Sequence, residues 1–316
     1  MSISIQCVDN KVMLNRILEI NEENRYISLS RGFVVIKQNS EILGQVPLED
    51  ISVLLLTAQG VTVSKNVLNS LAENNCITVL CGKNYVPQSM VLPIANHCFY
   101  TKNIKNQINC SEPFKKKVWQ QIVIQKIKNQ ALVLKLCKKE YKLVEKIASL
   151  VKSGDTDNRE AYAARMYWTS LFGKDFKRDK DGEGINSLLN YGYAVMRASM
   201  TRAICTAGLI PVFGVNHNNN LNQFCLADDF FEMYRPIIDL IVYEKWSKGN
   251  QEVSSENKKA LIKALWINVH TKQGNSPVFQ SMHYLINSYV QSIESKNLSL
   301  DFPVWDGVIN EGFRIK

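Results

Sequence analysis

The residues best suited to chemistry lie in "NHNNNLNQFCLADDFFEMYRP", positions 216–236. His217, one of only four histidines, sits in a run of asparagines. Eleven residues later come Asp228 and Asp229, then Glu232, leading into an apolar run that ends in Arg-Pro. Carboxylates are hard oxygen donors suited to Mg²⁺ or Mn²⁺, and one imidazole tilts such a set towards Mn²⁺ without excluding Mg²⁺. Asp229 and Glu232 are three apart and share a helix face, whereas Asp228 points elsewhere. A plainer reading competes. Acids in a first helical turn favour the helix dipole by about 0.3–1 kcal/mol, and a histidine in an Asn-rich turn is ordinarily exposed. Spacing alone leaves both readings open.

Two further stretches hold polar groups at helical spacing. "SGDTDNREAYAARMYWTSLFG" offers Asp157 or Asn158 as an N-cap, then Glu160 beside a small-residue face at Ala161, Ala163 and Ala164. Glu160 is either a first-turn carboxylate or half of a metal site. In "GINSLLNYGYAVMRASMTRA", Asn186 and Asn190 are four apart and accompany Tyr191, Tyr193 and Arg197. Gly192 in mid-helix costs about 1 kcal/mol against Ala, so a close contact is expected there. The amides are either a satisfied buried pair or, with Tyr191, an outer layer that orients the acids. No nucleophile with a base and an orienting partner is visible. Cys225 reads as a small apolar residue.

These residues must be positioned by two kinds of structure. "RYISLSRGFVVIKQN", "SEILGQVPLEDISVLLLT", "VTVS", "CITVLCG" and "SMVLPI" read as strands, with one helix over "KNVLNSLAENN". The expected fold class is α+β. A mainly β N-terminal domain covers about residues 1–95, a polar aperiodic linker 96–112, and a larger all-α domain 113–316. Pro113 suits a first helical turn. Helices are expected from there and at about 158–173, 185–207, 227–247, 256–272 and 277–297.

The formal net charge is +9, and the window 101–150 alone carries 12 Lys and 3 Glu. A run from Val118 to Ile147 is apolar at helical spacing, with the lysines largely between, so a cationic face results. That face is either simply solvated or suited to a polyanion backbone. The eight cysteines form no Cys-x-x-Cys pair, which suits reduced thiols in the cytoplasm rather than a zinc site. No signal peptide and no membrane-spanning apolar stretch is visible.

Taken in order, "KKKVWQQIVIQKIKNQ", "NREAYAARMYW", "GINSLLNYGYAVMR" and "GVNHNNNLNQFCLADDFFEMYRPIID" resemble the CRISPR-associated integrase ("Cas one") family, in forms closest to those of type II systems. The resemblance covers nearly the whole chain. It implies a Mg²⁺ or Mn²⁺ site made by Glu160, His217 and Glu232, with Asp229 as an additional acid. Ala161 stands where many relatives carry Gly, a mild departure. The family implies metal-dependent insertion of DNA into a CRISPR array, by attack of a 3′-hydroxyl on a phosphodiester, with hydrolysis as a side reaction. It also implies double-stranded DNA as ligand, homodimers formed through the β domain, and a small ferredoxin-like CRISPR partner ("Cas two"). In type II systems the RNA-guided effector nuclease assists. Lys115, Lys116, Lys117, Lys126 and Lys128, with Arg165 and Arg197, are the expected contacts to DNA phosphates.

Three other readings are weighed. A non-catalytic DNA-binding scaffold of the same fold would lack ligands that are present here. A peptide-directed metallohydrolase lacks its His-Glu-x-x-His motif. An RNA-binding module would want exposed aromatics on a sheet.

Overall fold

A computed structural model describes residues 16–82, 87–93 and 97–307. It contains two compact units, Met1–Cys98 and Phe99–Lys316. The first fifteen residues, Cys7 among them, and the expected boundary at 95 lie outside the described residues.

The N-terminal unit carries two four-stranded sheets. β1 (Arg16–Ile20), β5 (Ile51–Leu56), β7 (Ile77–Cys81) and β8 (Pro87–Val91) form one, in the order β1-β5-β7-β8. Its first two pairings are parallel and the last is antiparallel. β5 is buried along its whole length, as befits a parallel strand covered on both faces. The other sheet has the order β4-β3-β2-β6, from β2 (Arg25–Ser30), β3 (Phe33–Gln38), β4 (Glu41–Pro47) and β6 (Val61–Val63). The β2–β3 hairpin turns at Arg31 and Gly32, both at positive φ (48° and 81°), as a type I′ turn requires. The helix α1 (Lys65–Glu73) buries Val67 and Leu71 in a core with Leu18, Ile27, Ile36 and Leu54.

The C-terminal unit is built around two long helices, α3 (Glu112–Leu136) and α6 (Ile185–Thr206). α6 is buried on nearly every side, which is how a helix at the centre of a domain reads. Around them stand α2 (Tyr100–Ile108), α4 (Lys142–Ala148), α5 (Arg159–Phe172), α7 (Cys225–Phe231), α8 (Arg235–Ser247), α9 (Ser255–Lys263) and α10 (Val278–Ser295). Gly192 on α6 leaves no room for a side chain: a Cβ there would stand 2.5 Å from Ile238 Cγ2 on α8.

Three expectations need correction. The segment 96–112 is not an aperiodic linker, because α2 lies within it. Its inward residues are amides rather than apolar groups, so it shows no hydrophobic period. Asn103 donates to Ala207 O (2.9 Å), and Gln107 donates to Ile210 O (2.9 Å) and accepts from Ile210 N (3.0 Å). The C-terminal unit is also not purely helical. The expected helix 256–272 ends at Lys263, and a hairpin follows, β9 (Asn268–Thr271) with β10 (Gly274–Pro277). Val269 is buried between exposed Asn268 and His270, a period of two that four residues barely display. The expected helix 227–247 breaks into α7, a 3₁₀ turn at Glu232–Tyr234, and α8. Pro236 in the first turn of α8 supplies the reason, since it has no N–H to continue the ladder.

A buried carboxylate pins α5, α6 and α8 together. Asp239 on α8 is 1% exposed and accepts hydrogen bonds from Tyr167 on α5 (2.9 Å) and Tyr193 on α6. Burial pushes its pKa up to about 7, against those hydrogen bonds and the charges of Arg235 and Arg178. The folded value lies above that of a free carboxylate, about 3.9. Its stabilisation is therefore complete at low pH and is lost as pH rises towards 7. In urea titrations, the wild type is expected to lose about 3 kcal/mol more between pH 5 and pH 8 than Asp239→Asn does. Equal slopes would remove Asp239 as the source.

Candidate metal centre

The first turn of α5 presents Glu160. Asn158 begins the helix in the left-handed region (φ 51°), but neither it nor Asp157 caps the turn. Asp155 does so instead, accepting from Arg159 N (2.8 Å) and Glu160 N (3.0 Å). This is a side-chain cap supplied from further upstream than the expected one.

The 3₁₀ turn between α7 and α8 presents Glu232, which is 5% exposed. Asn129 on α3 holds that turn by donating to Met233 O (2.7 Å). Arg235 meets Glu232 Oε1 at 2.9 Å, its guanidinium lying over the rings of Phe231 and Tyr193.

Lys126 of α3 reaches both acids. Its Nζ lies 2.5 Å from Glu160 Oε1 and 2.5 Å from Glu232 Oε2. Only the contact to Glu160 has hydrogen-bond geometry; the contact to the buried Glu232 Oε2 is an ion pair. Burial disfavours the ammonium, but Glu232 and Glu160 outweigh it and hold the Lys126 pKa above its ordinary value. Burial likewise pushes Glu232 up, yet Arg235 and Lys126 outweigh it and leave its pKa below the usual carboxylate range.

His217 is hydrogen-bonded to Asp229. Asp229, 0% exposed, accepts from the backbone N–H of Val215 (2.6 Å), Asn216 (3.0 Å) and His217 (3.1 Å), and meets His217 Nδ1 at 2.6 Å. The close wrap of this loop requires Gly214, where a Cβ would stand 2.7 Å from Asp229 Oδ2 and 2.5 Å from His217 O. The imidazole stands edge-on to Trp119 of α3. The bond to Asp229 holds the His217 pKa above its ordinary value, against partial burial, and Glu232 adds to the rise. With Nδ1 committed to Asp229, Nε2 is the nitrogen left to ligate.

Among the described residues, no three of His, Cys, Asp or Glu are gathered tightly enough to grip an ion as they stand. The donor set nevertheless fits a hard divalent cation. Two carboxylates already converge on one positive charge, one of their buried oxygens lacks a hydrogen bond, and an oriented imidazole stands on the adjoining loop.

Several expected residues fall elsewhere. Asp229, expected as an additional acid, has its carboxylate occupied by four donors and positions His217. Asp228 is gripped by Arg197, whose Nε lies 2.6 Å away, and by Asn222 Nδ2 at 2.7 Å. Arg197, expected as a DNA contact, is thereby engaged in an ion pair with α7. Lys126 is buried and cannot serve on a phosphate-binding surface in this arrangement. Asn186 and Asn190 do not support the acids: they accept from Arg178 (3.0 and 2.6 Å) and donate to Lys177 O and Lys180 O, anchoring the segment before α6. Tyr191 is fully buried in the core. Lys116, Lys117, Lys128 and Arg165 are exposed, and Lys115 is half-buried and pairs with Glu112 (2.9 Å).

Sequence reasoning missed Lys126, Asn129 and Arg235 as parts of the site. A signal for Lys126 exists: it stands four residues after Ile122 and eight after Val118, on the apolar stripe of α3.

The family model for "CRISPR associated protein Cas1" matches residues 18–273. The chain is 37% identical over 275 residues to the CRISPR-associated endonuclease Cas1 of Neisseria meningitidis serogroup C (strain 8013), covering 86% of this chain and 90% of that one. It is 26% identical over 279 residues to a Cas1 endonuclease of Francisella tularensis subsp. novicida (strain U112), covering 81% and 87%. Among solved structures, a casposase bound to integration product superposes with a TM-score of 0.76 at 17% identity, over 90% of this chain and 92% of that one. A Cas1 protein from Thermotoga maritima does so with 0.73 at 15% identity, over 88% and 97%. At those identities the superpositions speak for the fold, an N-terminal β region followed by a helical one. The sequence matches go further: this chain belongs to the Cas1 family of CRISPR-associated proteins.

Proposed function

We propose that the chain is a metal-dependent DNA integrase and endonuclease that inserts new DNA into a CRISPR array, with Glu160, His217 and Glu232 as ligands of Mg²⁺ or Mn²⁺. One observation carries the reading: Glu160 and Glu232, from elements 72 residues apart, converge on a single cation. When bound, the ion polarises the phosphoryl oxygen and stabilises charge on the attacking and leaving oxygens. The chain's own residues hold the rest in place. Asp155 fixes Glu160, Asn129 and Arg235 fix Glu232, and Asp229 fixes His217 with Nε2 free to bind. A 3′-hydroxyl of one DNA end attacks a phosphodiester. One P–O bond forms as another breaks, and the proton goes to the displaced oxygen. With water in place of the hydroxyl, the same site hydrolyses the strand.

Lys116, Lys117, Lys128 and Arg165 are the exposed cations proposed to meet DNA phosphates, Lys115 doing so by releasing Glu112. The Lys116 side chain lies against Gly154, beside the turn that caps Glu160, which puts cationic surface next to the site. The solved neighbours named as a "Cas6-RT-Cas1--Cas2 complex" and a "TtCas1-DNA complex" support a Cas2 partner and DNA as ligand, which we take to be double-stranded. A homodimer through the N-terminal unit, and assistance from a type II effector nuclease, belong to the same proposal. No helix among the described residues is long and apolar enough to cross a membrane. Cys98, Cys110, Cys137, Cys205 and Cys225 are free thiols, which suits action in the reducing cytoplasm.

The test combines purified protein and its Cas2 partner with a short duplex and a supercoiled array plasmid. Joined product is expected with Mn²⁺ and none after chelation. Joining that survives chelation, or no joining with either metal, would overturn the proposal and favour a DNA-binding scaffold.

A further inference from the structure

We propose that Lys126 is a resident counter-cation of this centre: its ammonium holds Glu160 and Glu232 in the ligand position and is displaced when a divalent ion binds. The inference rests on reading those two acids as ligands.

The geometry offers one place for one cation. Nζ stands 2.5 Å from an oxygen of each acid, at the end of a side chain buried in α3. Without a positive charge there, two carboxylates would face each other with Arg235, on the far oxygen of Glu232, as the main remaining offset. The ammonium therefore assembles the pair before any metal arrives.

By charge it is the lesser of the two possible occupants. Nζ brings one positive charge to two carboxylates, and of its two 2.5 Å contacts only that to Glu160 has hydrogen-bond geometry. A doubly charged ion held by Glu160 and Glu232 would offset both acids more fully than one ammonium does. The two cations cannot share the site, because like charges that close repel strongly in a buried setting. The ion has to push Nζ aside, and the four-carbon stem of lysine gives it the freedom to swing. Arginine, with a rigid planar fork, would not yield in this way. The cost of displacing Nζ weakens metal binding relative to a site that lacks the lysine.

The competition is readable without activity. Mn²⁺ alone is titrated into the full chain, with free ion followed by electron paramagnetic resonance. Wild type, Lys126→Met, Lys126→Arg and Glu160→Gln are compared. Lys126→Met is expected to bind Mn²⁺ at least about tenfold more tightly. Its melting temperature without metal should fall, and the rise on adding Mn²⁺ should exceed that of wild type. Lys126→Arg should bind no more tightly than wild type. A folded Lys126→Met that binds Mn²⁺ no better than wild type overturns the proposal. If that variant fails to fold without metal, recovery on adding Mn²⁺ supports the proposal and failure to recover overturns it. Glu160→Gln separates the two levels of inference. If it binds Mn²⁺ like wild type, the metal centre itself is misplaced and the role of Lys126 falls with it. If it abolishes binding while Lys126→Met changes nothing, only the counter-cation role is lost.

Discussion

Glu160→Gln is expected to lower metal-dependent strand joining by about a thousandfold or more, while DNA binding stays near wild type. The substitution keeps the shape of the side chain, removes its charge and turns one acceptor oxygen into a donor. The cap that Asp155 places on the first turn of α5 involves backbone N–H groups, so the turn should persist. Lys126 keeps its contact with Glu232, and the Glu160 side chain is 26% exposed, so water can take up part of the lost pairing. The cost to folding is therefore expected to be about 1–2 kcal/mol, within reach of a urea titration. The exposed lysines assigned to DNA keep their charge in this variant, Lys116 beside the capping turn included. Joining is measured on the array plasmid and binding by fluorescence anisotropy on a labelled duplex. A variant that joins DNA within tenfold of wild type would remove Glu160 from the reaction.

Asp229→Asn is expected to fail differently, losing about 2–4 kcal/mol of stability and reducing joining by about 10–100-fold. Four donors converge on this fully buried carboxylate, three of them backbone N–H groups of the loop 215–217 and the fourth His217 Nδ1. An amide has one acceptor oxygen, and its NH₂ would face donors with nothing to accept its protons. The loop should loosen, and the imidazole should lose the partner that sets its orientation. Urea midpoints report the first effect and joining rates the second. The contrast with Glu160→Gln is informative. If Asp229 were itself a metal ligand, its replacement would weaken Mn²⁺ binding with little loss of stability. Unchanged stability would overturn its role as the anchor of the loop.

Much of the fold was legible because its signals are local. Strands such as "FVVIKQ" alternate or run apolar for a few residues, and Arg31-Gly32 marks its own turn. α5, α6 and α10 announce themselves by length and period. The helix α2 was not legible, because its buried face is made of Asn103 and Gln107, and only their distant carbonyl partners explain why they turn inward. The hairpin at 268–277 was hidden by strands of four residues each, too short to show a period.

The same division runs through the site. Residue types and their order, read with the family resemblance, singled out Glu160, His217 and Glu232 and separated Asp229 from Asp228. Hard oxygen donors and an imidazole carry their chemistry in their identity, wherever the chain places them. Which charge each acid faces is a matter of tertiary structure. Asp228 turns to Arg197, Asp229 to the histidine loop, and Glu232 to Lys126 and Arg235, although these three acids lie within five consecutive residues. Lys126 looked like one lysine among twelve in a cationic stretch. Only the packing of α3 against α5 and the 3₁₀ turn at Glu232 buries it between two carboxylates. A side chain's burial and partners depend on segments far away in sequence, and no local pattern encodes them.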